Sequence, residues 1–231
     1  MLAEFLLQFK NDISFFNLFE YLTFKTAISA ITALIMSFII GPLTIRKLQQ
    51  YQIGEEIRSN GPESHLAKRG TPTMGGVIII LSTLLPTLLF SDLSNIMVLI
   101  IALSTLWMGV IGFIDDYLKI IIKAKDGMIA RHKMIGQILL GVIISYAIIN
   151  SNDFNGFNTK TTIPFFKNFE FDFGIFYPLL VIVVITATSN AVNLTDGLDG
   201  LAIGLLAICF TVFTAISYIS GRVDFSDYLN I

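Results

Sequence analysis

Charge is scarce in this 231-residue chain: only 14% of its residues are Asp, Glu, Lys or Arg, while 54% are hydrophobic. Soluble domains carry about 25% charged residues, so this chain has too little polar surface to enclose a soluble globule. The same composition excludes disorder, and a net charge of −2 excludes a simple nucleic-acid-binding protein. With a mean hydropathy of +0.75, the composition predicts a protein whose solvent is lipid.

The sequence contains one cysteine and no segment typical of a boundary between domains. Cys209 is the single cysteine, which excludes an internal disulfide and a cysteine-rich metal site. No repeat, low-complexity tract or linker divides the sequence. We therefore predict one domain over residues 1–231.

Six stretches lack charged residues for long enough to cross a bilayer, which takes about 20 residues. None alternates strictly between apolar and polar residues as a barrel strand does. We therefore predict an all-α, polytopic integral membrane protein with six transmembrane helices and a short β-hairpin on its outer side. The predicted spans are residues 26–45, 71–91, 93–114, 134–152, 174–195 and 200–221. The hairpin is predicted from Asn155-Gly156, Phe165-Phe166 and the apolar–polar alternation of residues 169–173.

The distribution of lysine and arginine predicts the orientation in the membrane. Ten of the 15 cations lie in the segments that follow the first and third spans, and five lie on the alternate side. We therefore expect the N-terminus outside and residues 46–70, 115–133 and 196–199 on the cytoplasmic side. Three polar constellations then lie at the cytoplasmic face.

The first constellation is a pair of adjacent carboxylates, Asp115 and Asp116, at the end of the third span. Acids at this depth are costly unless they face water, a cation or a shared proton. Neighbouring helical residues point about 100° apart, so one carboxylate can hold Mg²⁺ while the other orients or deprotonates a nucleophile. The alternative is a solvated helix end with Lys119 and Lys123 beside the acids.

The second constellation is the Asn- and Asp-rich connection between the fifth and sixth spans. Asn190 and Asn193 are three residues apart and can share a helix face. Asp196 and Asp199 have the same spacing, and a glycine after each lets backbone amides approach a ligand. Four such side chains exceed what helix capping needs, which favours a ligand site. A capped connector and a calcium loop are the alternatives, although the spacing does not match an EF-hand.

The third constellation, residues 58–76, combines basic residues with hydroxyls flanked by glycine. Lys68 and Thr73 can hold a phosphate through charge and nearby backbone N–H groups, although the spacing is not that of a P-loop. Equally, Lys68 can be a positive-inside anchor, and Thr73 can belong to a helix start that contains proline. His65 taken alone is more typical of an ordinary interfacial histidine.

Carboxylates, amides and cations at one membrane face fit the transfer of a phosphorylated group with Mg²⁺ at the lipid boundary. A cation transporter would place acids near the middle of its spans, and the middles of the six predicted spans contain none. The constellations therefore favour an enzyme.

At these motifs the sequence resembles the phospho-N-acetylmuramoyl-pentapeptide-transferase family. The matching strings are residues 61–65 (GPESH), 68–76 (KRGTPTMGG), 112–117 (GFIDDY) and 190–200 (NAVNLTDGLDG). The Asp-Asp and Asn-Leu-Thr-Asp-Gly motifs are shared with the wider superfamily of polyprenyl-phosphate sugar-1-phosphate transferases. The first two strings are characteristic of the muramoyl-pentapeptide branch.

The resemblance implies transfer of phospho-N-acetylmuramoyl-pentapeptide from its UDP-linked precursor to undecaprenyl phosphate, which gives lipid I and UMP. This Mg²⁺-dependent reaction is a step of peptidoglycan synthesis at the bacterial inner (plasma) membrane. Carried over by motif, Asp115 and Asp116 would be the catalytic and metal-binding residues. The substrate-binding residues would be His65, Lys68, Thr73, Asn190, Asn193, Asp196 and Asp199.

Members of that family have about ten membrane helices, and ten spans of about 20 residues need well over 231 residues. We therefore expect this chain to be the N-terminal two-thirds of such an enzyme, truncated at its C-terminus. A sister enzyme that transfers another sugar phosphate, and a transporter or non-catalytic membrane partner, are the alternatives. A homodimer is left open.

Overall fold

The computed structural model describes residues 2–50, 74–124, 127–154, 159–162, 169–198, 200–222 and 225. These residues form α-helices and one two-stranded sheet, as expected for an all-α protein with a hairpin. The helices are α1 (Leu2–Leu7), α2 (Leu22–Gln50), α3 (Gly76–Phe90), α4 (Ile96–Ile120), α5 (Ala130–Asn150), α6 (Tyr177–Thr195) and α7 (Leu201–Ser220), and the strands are β1 (Lys160–Thr162) and β2 (Glu170–Asp172). Short 3₁₀ turns cover Ser14–Glu20, Asn152–Phe154 and Gly174–Phe176. The chain groups into two compact units, residues 1–136 and 137–231.

In the described part of the chain, five helices are long and apolar enough to cross a membrane, namely α2, α4, α5, α6 (with the 3₁₀ turn that precedes it) and α7. At most 22% of the apolar stretch of any of them is buried inside the protein. Apolar surface on this scale is unfavourable in water and favourable in a hydrocarbon environment. The protein is therefore a multi-pass integral membrane protein.

The second predicted span, residues 71–91, is shorter in the structure. Helix α3 has 15 residues, or about 22 Å, against about 30 Å for the hydrocarbon core. Before the helix, Met74 has a left-handed backbone with φ 68°, and after it Ser91 is extended with ψ 159°. Residues 71–73 lie outside the described part of the chain. Within the described residues, the count of long spans is therefore five, where the sequence predicted six.

In the first unit, α2 packs against α3 and α3 packs against α4. The N-terminal elements attach to these helices through aromatic side chains, with Ala3, Phe19 and Phe90 buried together. The Phe19 ring meets Phe24 edge-on at 5.1 Å and stacks on Phe90 at 6.3 Å. Edge-on and offset-stacked pairs are the favourable aromatic geometries, so they hold the N-terminus on α2 and α3.

In the second unit, α5 approaches α6 very closely. The buried residues of α5 follow the spacing i, i+3, i+4 and i+8, which defines one helix face. Gly141 lies on this face, and a Cβ added there would be 2.7 Å from Ile182 Cγ1 and 3.0 Å from Ile182 Cα. Small residues permit such backbone approach between membrane helices.

The predicted hairpin is present, with β1 and β2 antiparallel and Thr161 opposite Phe171. The Thr159 hydroxyl donates to Asp172 Oδ1 at 2.6 Å. This bond, together with one from the Gly174 N–H, lowers the pKa of the Asp172 carboxyl. The Asn155-Gly156 and Phe165-Phe166 pairs used in the prediction lie outside the described residues.

Candidate active site

Helix α4 carries both predicted catalytic acids in its last two turns. The sequence predicted that the span ends at Ile114, but the helix continues to Ile120. Asp115 and Asp116 therefore lie inside the helix and do not form its end. The predicted span ended before Asp115 because it was defined by the absence of charged residues. The helix continues through the two acids because the carboxylate of Asp115 has cationic partners.

Asp115 is a buried carboxylate, 7% exposed, that accepts three hydrogen bonds. Its Oδ2 accepts from Lys119 Nζ at 2.9 Å and from Lys133 Nζ at 2.8 Å. Its Oδ1 accepts from the backbone N–H of Met128 at 2.8 Å. Charge-assisted bonds of this kind offset the cost of removing a carboxylate from water. One side chain thereby joins α4, the loop that follows it and the first turn of α5.

The loop after α4 is shaped to close on this carboxylate. The chain leaves the helix through Lys123, whose φ of 56° is left-handed. The N–H of Ala124 then donates to the Leu118 carbonyl at 3.0 Å, a bond that turns the chain away from the end of the helix. Gly127 follows with φ 63°, and a Cβ there would lie 2.6 Å from Asp115 Oδ1. Only glycine suits both this backbone conformation and this space.

Asp116 occupies a different environment from its neighbour. It is half-buried on α4, and a helical step of about 100° turns its side chain away from that of Asp115. The two adjacent acids therefore differ in burial, since Asp115 is buried among cations.

Lys119 and Lys133 are the site residues that the sequence reasoning missed. It counted both as topology signals and named Lys119 only as part of a solvated helix end. The Asp115–Lys119 spacing of i,i+4 is a local signal that predicts an ion pair. Lys133 lies 18 residues from Asp115, and no local pattern joins them.

The Asn- and Asp-rich connection begins on α6. Asn190 is exposed, and its Nδ2 donates to the Thr186 carbonyl at 2.8 Å and to Gln137 Oε1 at 3.2 Å. Gln137, on α5, donates from Nε2 to Ser189 Oγ at 3.1 Å. Asn193 lies about one turn further along α6 and is also exposed. The helix therefore carries both asparagines, as their spacing predicted.

The sequence predicted that Asp196 and Asp199 share one helix face. This prediction is wrong for Asp196, which lies outside the helix. Helix α6 ends at Thr195, and Asp196 follows with φ −77° and ψ 42° while its N–H donates to the Val192 carbonyl at 3.2 Å. Gly200 then adopts φ 80° immediately before α7. Asp196 is thus an exposed residue of the turn that follows α6.

The remaining predicted residues, His65, Lys68, Thr73 and Asp199, lie outside the described part of the chain, and their roles stay predictions. Among the described residues, no three His, Cys, Asp or Glu side chains form a group that could hold a metal ion. Mg²⁺ is usually bound through one or two carboxylates together with water and substrate phosphates, so a metal at Asp116 does not require a cluster of that kind.

Comparison with known proteins identifies the class. Residues 98–229, more than half of the chain, match the model of glycosyl transferase family 4, and the chain belongs to that family. The matched range includes most of α4 with its acid pair and the polar connection between α6 and α7.

A more specific match lies upstream. Residues 68–80 match signature 1 of phospho-N-acetylmuramoyl-pentapeptide-transferase. Curated relatives with that name come from Desulforapulum autotrophicum, 46% identical, and Pelobacter propionicus, 45% identical, each aligned over 100% of this chain and 64% of the relative. One from Koribacter versatilis is 45% identical over 94% of this chain and 61% of the relative. The predicted resemblance is confirmed, and the chain spans less than two thirds of the length of these relatives.

Proposed function

We propose that the protein transfers phospho-N-acetylmuramoyl-pentapeptide from UDP to undecaprenyl phosphate. A phosphate oxygen of the lipid attacks the phosphorus that carries the sugar, and the bond from that phosphorus to UMP breaks. The products are undecaprenyl-diphospho-muramoyl-pentapeptide (lipid I) and UMP. The reaction belongs to peptidoglycan synthesis.

The observation that carries this proposal is the buried, doubly cation-paired Asp115 beside half-buried Asp116 on a membrane helix. Ionisable groups within membrane spans are costly and mark functional sites. A purely structural ion pair would need neither a second acid next to it nor a glycine loop closing on its carboxylate. The relatives that bear the transferase name support the choice of reaction.

We infer different roles for the two acids. All three hydrogen bonds to Asp115 come from the protein itself, so it acts as a positioning residue that holds Lys119 and Lys133 in place. Asp116 is the carboxylate we assign to Mg²⁺ and to the phosphate nucleophile. For Asp115 to ligate the metal as well, it would have to release one of its ammonium partners.

The metal fits this donor set. Mg²⁺ binds through one or two carboxylates together with water and substrate phosphates, so one well-placed carboxylate suffices on the protein side. When bound, the ion neutralises negative charge that develops on the diphosphate. The lipid phosphate is already largely ionised at neutral pH, so the protein residues supply orientation and charge more than proton removal.

The nucleotide is assigned to the connection between α6 and α7. Asn190 and Asn193 are exposed amides on α6, and Asp196 is an exposed carboxylate in the turn after it. Amides and carboxylates accept hydrogen bonds from the hydroxyl and N–H groups of a nucleoside. We propose that Lys68, Thr73, His65 and Asp199 complete the contacts to the sugar diphosphate.

Location and partners follow from the same proposal. We propose that the protein lies in the bacterial inner membrane with its N-terminus outside and the acid pair at the cytoplasmic face, an arrangement in which the shorter helix α3 also crosses the bilayer. There the water-soluble UDP precursor and the lipid carrier both reach it. A homodimer is compatible with this arrangement and is not required by it.

The test is a transfer assay with membranes that contain the product of the whole gene. The substrates are UDP-N-acetylmuramoyl-pentapeptide, undecaprenyl phosphate and Mg²⁺, and the measurement is lipid-linked product and released UMP. Wild-type protein is expected to make lipid I. Asp116→Asn preserves size and removes the charge, and we expect it to lose at least about 100-fold in turnover while still inserting into the membrane.

Each outcome decides the question. No lipid-linked product from the wild type, with an active control transferase alongside, would exclude the reaction. UMP release with another UDP-sugar and none with the pentapeptide precursor would identify a sister transferase. Full activity of Asp116→Asn would remove this carboxylate from the mechanism.

A further inference from the structure

Gln137 is a deeply buried polar residue of α5, only 4% exposed. A buried amide is costly unless its hydrogen-bonding groups find partners. Both ends of this side chain do so: Nε2 donates to Ser189 Oγ, and Oε1 accepts from Asn190 Nδ2. Gln137 thus bridges two consecutive residues of α6.

The bridge gives the Asn190 amide a direction. An amide nitrogen has two N–H donors, and those of Asn190 go to the Thr186 carbonyl and to Gln137 Oε1. Turning the amide over would place its oxygen against both of these acceptors. The oxygen Oδ1 takes part in neither bond, so it is the group that the exposed side chain presents outward.

The packing of α5 on α6 supports this direction. Gly141 lies one turn after Gln137 and brings the two backbones so close that a Cβ would be 3.0 Å from Ile182 Cα. At this separation the Gln137 side chain reaches α6 directly. The helix pair therefore fixes the position of Gln137, and Gln137 together with the Thr186 carbonyl fixes the orientation of Asn190.

We propose that Gln137 is a positioning residue that commits Asn190 to accepting a hydrogen bond from a donor on the uridine moiety, not to binding phosphate. This inference rests on the proposed function. Phosphate oxygens at neutral pH are acceptors and are repelled by an outward carbonyl oxygen, whereas the uracil imide N–H and the ribose hydroxyls are donors. Gln137 acts through Asn190 and does not touch the nucleotide.

The experiment measures UMP binding to the detergent-solubilised whole protein by calorimetry. Gln137→Met keeps the length of the side chain and removes the oxygen that receives the Asn190 N–H. Gln137→Glu keeps that oxygen, and the Ser189 hydroxyl can rotate to donate to the second one. We expect Gln137→Met to weaken UMP binding by about tenfold and Gln137→Glu to stay within about threefold of the wild type.

A series of nucleotides separates positioning from general destabilisation. The probes are UMP, 3-methyl-UMP, 2′-deoxy-UMP and 3′-deoxy-UMP, with inorganic pyrophosphate as a ligand that lacks the nucleoside. Each analogue lacks one hydrogen-bond donor of the nucleoside. The analogue that lacks the donor to Asn190 is expected to bind wild type and Gln137→Met equally, because it cannot make that hydrogen bond in either protein. Pyrophosphate binding is expected not to change between them.

Asn190→Ala keeps the test decisive if Gln137→Met does not fold, because Asn190 is exposed. It is expected to show the same analogue dependence, and the double variant is expected to lose no more than either single variant. Equal weakening of all probes, pyrophosphate included, would overturn the inference, as would unchanged UMP binding in Gln137→Met. Absence of both UMP binding and transfer in the wild type would instead overturn the proposed function.

Discussion

At the scale of single residues, Gly127 decides whether the loop after α4 can reach the acid pair. Its φ of 63° is left-handed, and a Cβ would meet Asp115 Oδ1 and the side chain of Lys119 at 2.6 Å. The N–H of Met128, the next residue, is one of the three donors to Asp115. Glycine is thus a condition for the hydrogen bonds that neutralise this buried carboxylate.

We expect Gly127→Ala to lower the free energy of unfolding by about 1–3 kcal/mol, because it combines left-handed strain with a displaced ion pair. The measurement is thermal unfolding in detergent, followed by circular dichroism, together with the transfer assay. Gly112→Ala is the matched control on α4, since nothing lies within 4 Å of a Cβ there. Equal stability of the two variants would contradict the role given to Gly127.

The acid pair shows how far residue-level prediction reaches. The sequence singled out Asp115 and Asp116 correctly as adjacent acids on a membrane helix, because an Asp-Asp dipeptide after a long apolar run is a local signal. It did not predict which acid is buried. That depends on Lys133, which contacts Asp115 across 18 residues of sequence.

At the scale of elements, the α5–α6 pair depends on Gly141. Helices in lipid gain little from the hydrophobic effect when they associate, so close packing and hydrogen bonds between them carry the stability. We expect Gly141→Ala to cost about 1–3 kcal/mol, because the new methyl group would press on the backbone of Ile182, which cannot rotate away.

Unfolding in detergent measures this cost, with Gly204→Ala on α7 as the control because no atom lies within 4 Å of a Cβ at that position. Gly141→Ala is also expected to weaken UMP binding, since it separates Gln137 from α6. A Gly141→Ala protein as stable as the Gly204→Ala protein would show that the two helices do not need this approach.

The hairpin makes a prediction about pH. The Thr159 hydroxyl, and after it the Gly174 N–H, stabilise ionised Asp172 and lower its pKa. A carboxyl whose pKa is lowered in the folded protein stabilises the fold at pH values above its unfolded-state pKa. This stabilisation is lost as the pH falls through the folded-state pKa. We expect the pKa of the Asp172 carboxyl to lie below its ordinary value and to rise toward that value in Thr159→Val.

The check is a carbon-13 NMR titration of the Asp172 carboxyl group in both proteins. Thr159→Val has nearly the same shape as the wild type and lacks only the hydroxyl donor. Identical titration midpoints in the two proteins would mean that the hydroxyl does not interact with the carboxylate in solution.

At the scale of the whole molecule, the testable property is the orientation in the membrane. Cys209 is the single native cysteine, so Cys209→Ser gives a background without thiols. In this background we expect Ile129→Cys, next to the acid-pair loop, to react with a membrane-impermeant maleimide only after the cells are opened. Phe169→Cys, beside the hairpin, is expected to react in intact cells. Both side chains are more than half exposed.

Labelling in the reverse pattern would invert the orientation predicted from the lysine and arginine count. Labelling of both residues from the same side would contradict a membrane crossing by α5, the helix that separates them in the sequence. The prediction rests on positive charge in short loops, which sets the orientation during insertion.

Much of the fold could be predicted because a membrane helix is identified from a contiguous stretch of sequence. Among the residues that the structure describes, five long apolar helices lie close to five of the six predicted spans, since length and the absence of charge suffice to identify them. The second span was predicted too long, because its ends depend on the backbone conformations of Met74 and Ser91. Apolar composition does not signal a turn at either position.

The sequence by itself determined three properties of the protein: that it is a membrane protein, which segments of the chain form its apolar helices, and which family motifs it carries. Only the tertiary structure decided that Asp115 is enclosed by two lysines and that the Asn190 amide donates to Gln137. Those outcomes depend on pairs 18 and 53 residues apart. A local sequence pattern indicates whether a segment is helical and apolar. It does not identify contacts between residues so far apart in the sequence, because these form only when the helices pack.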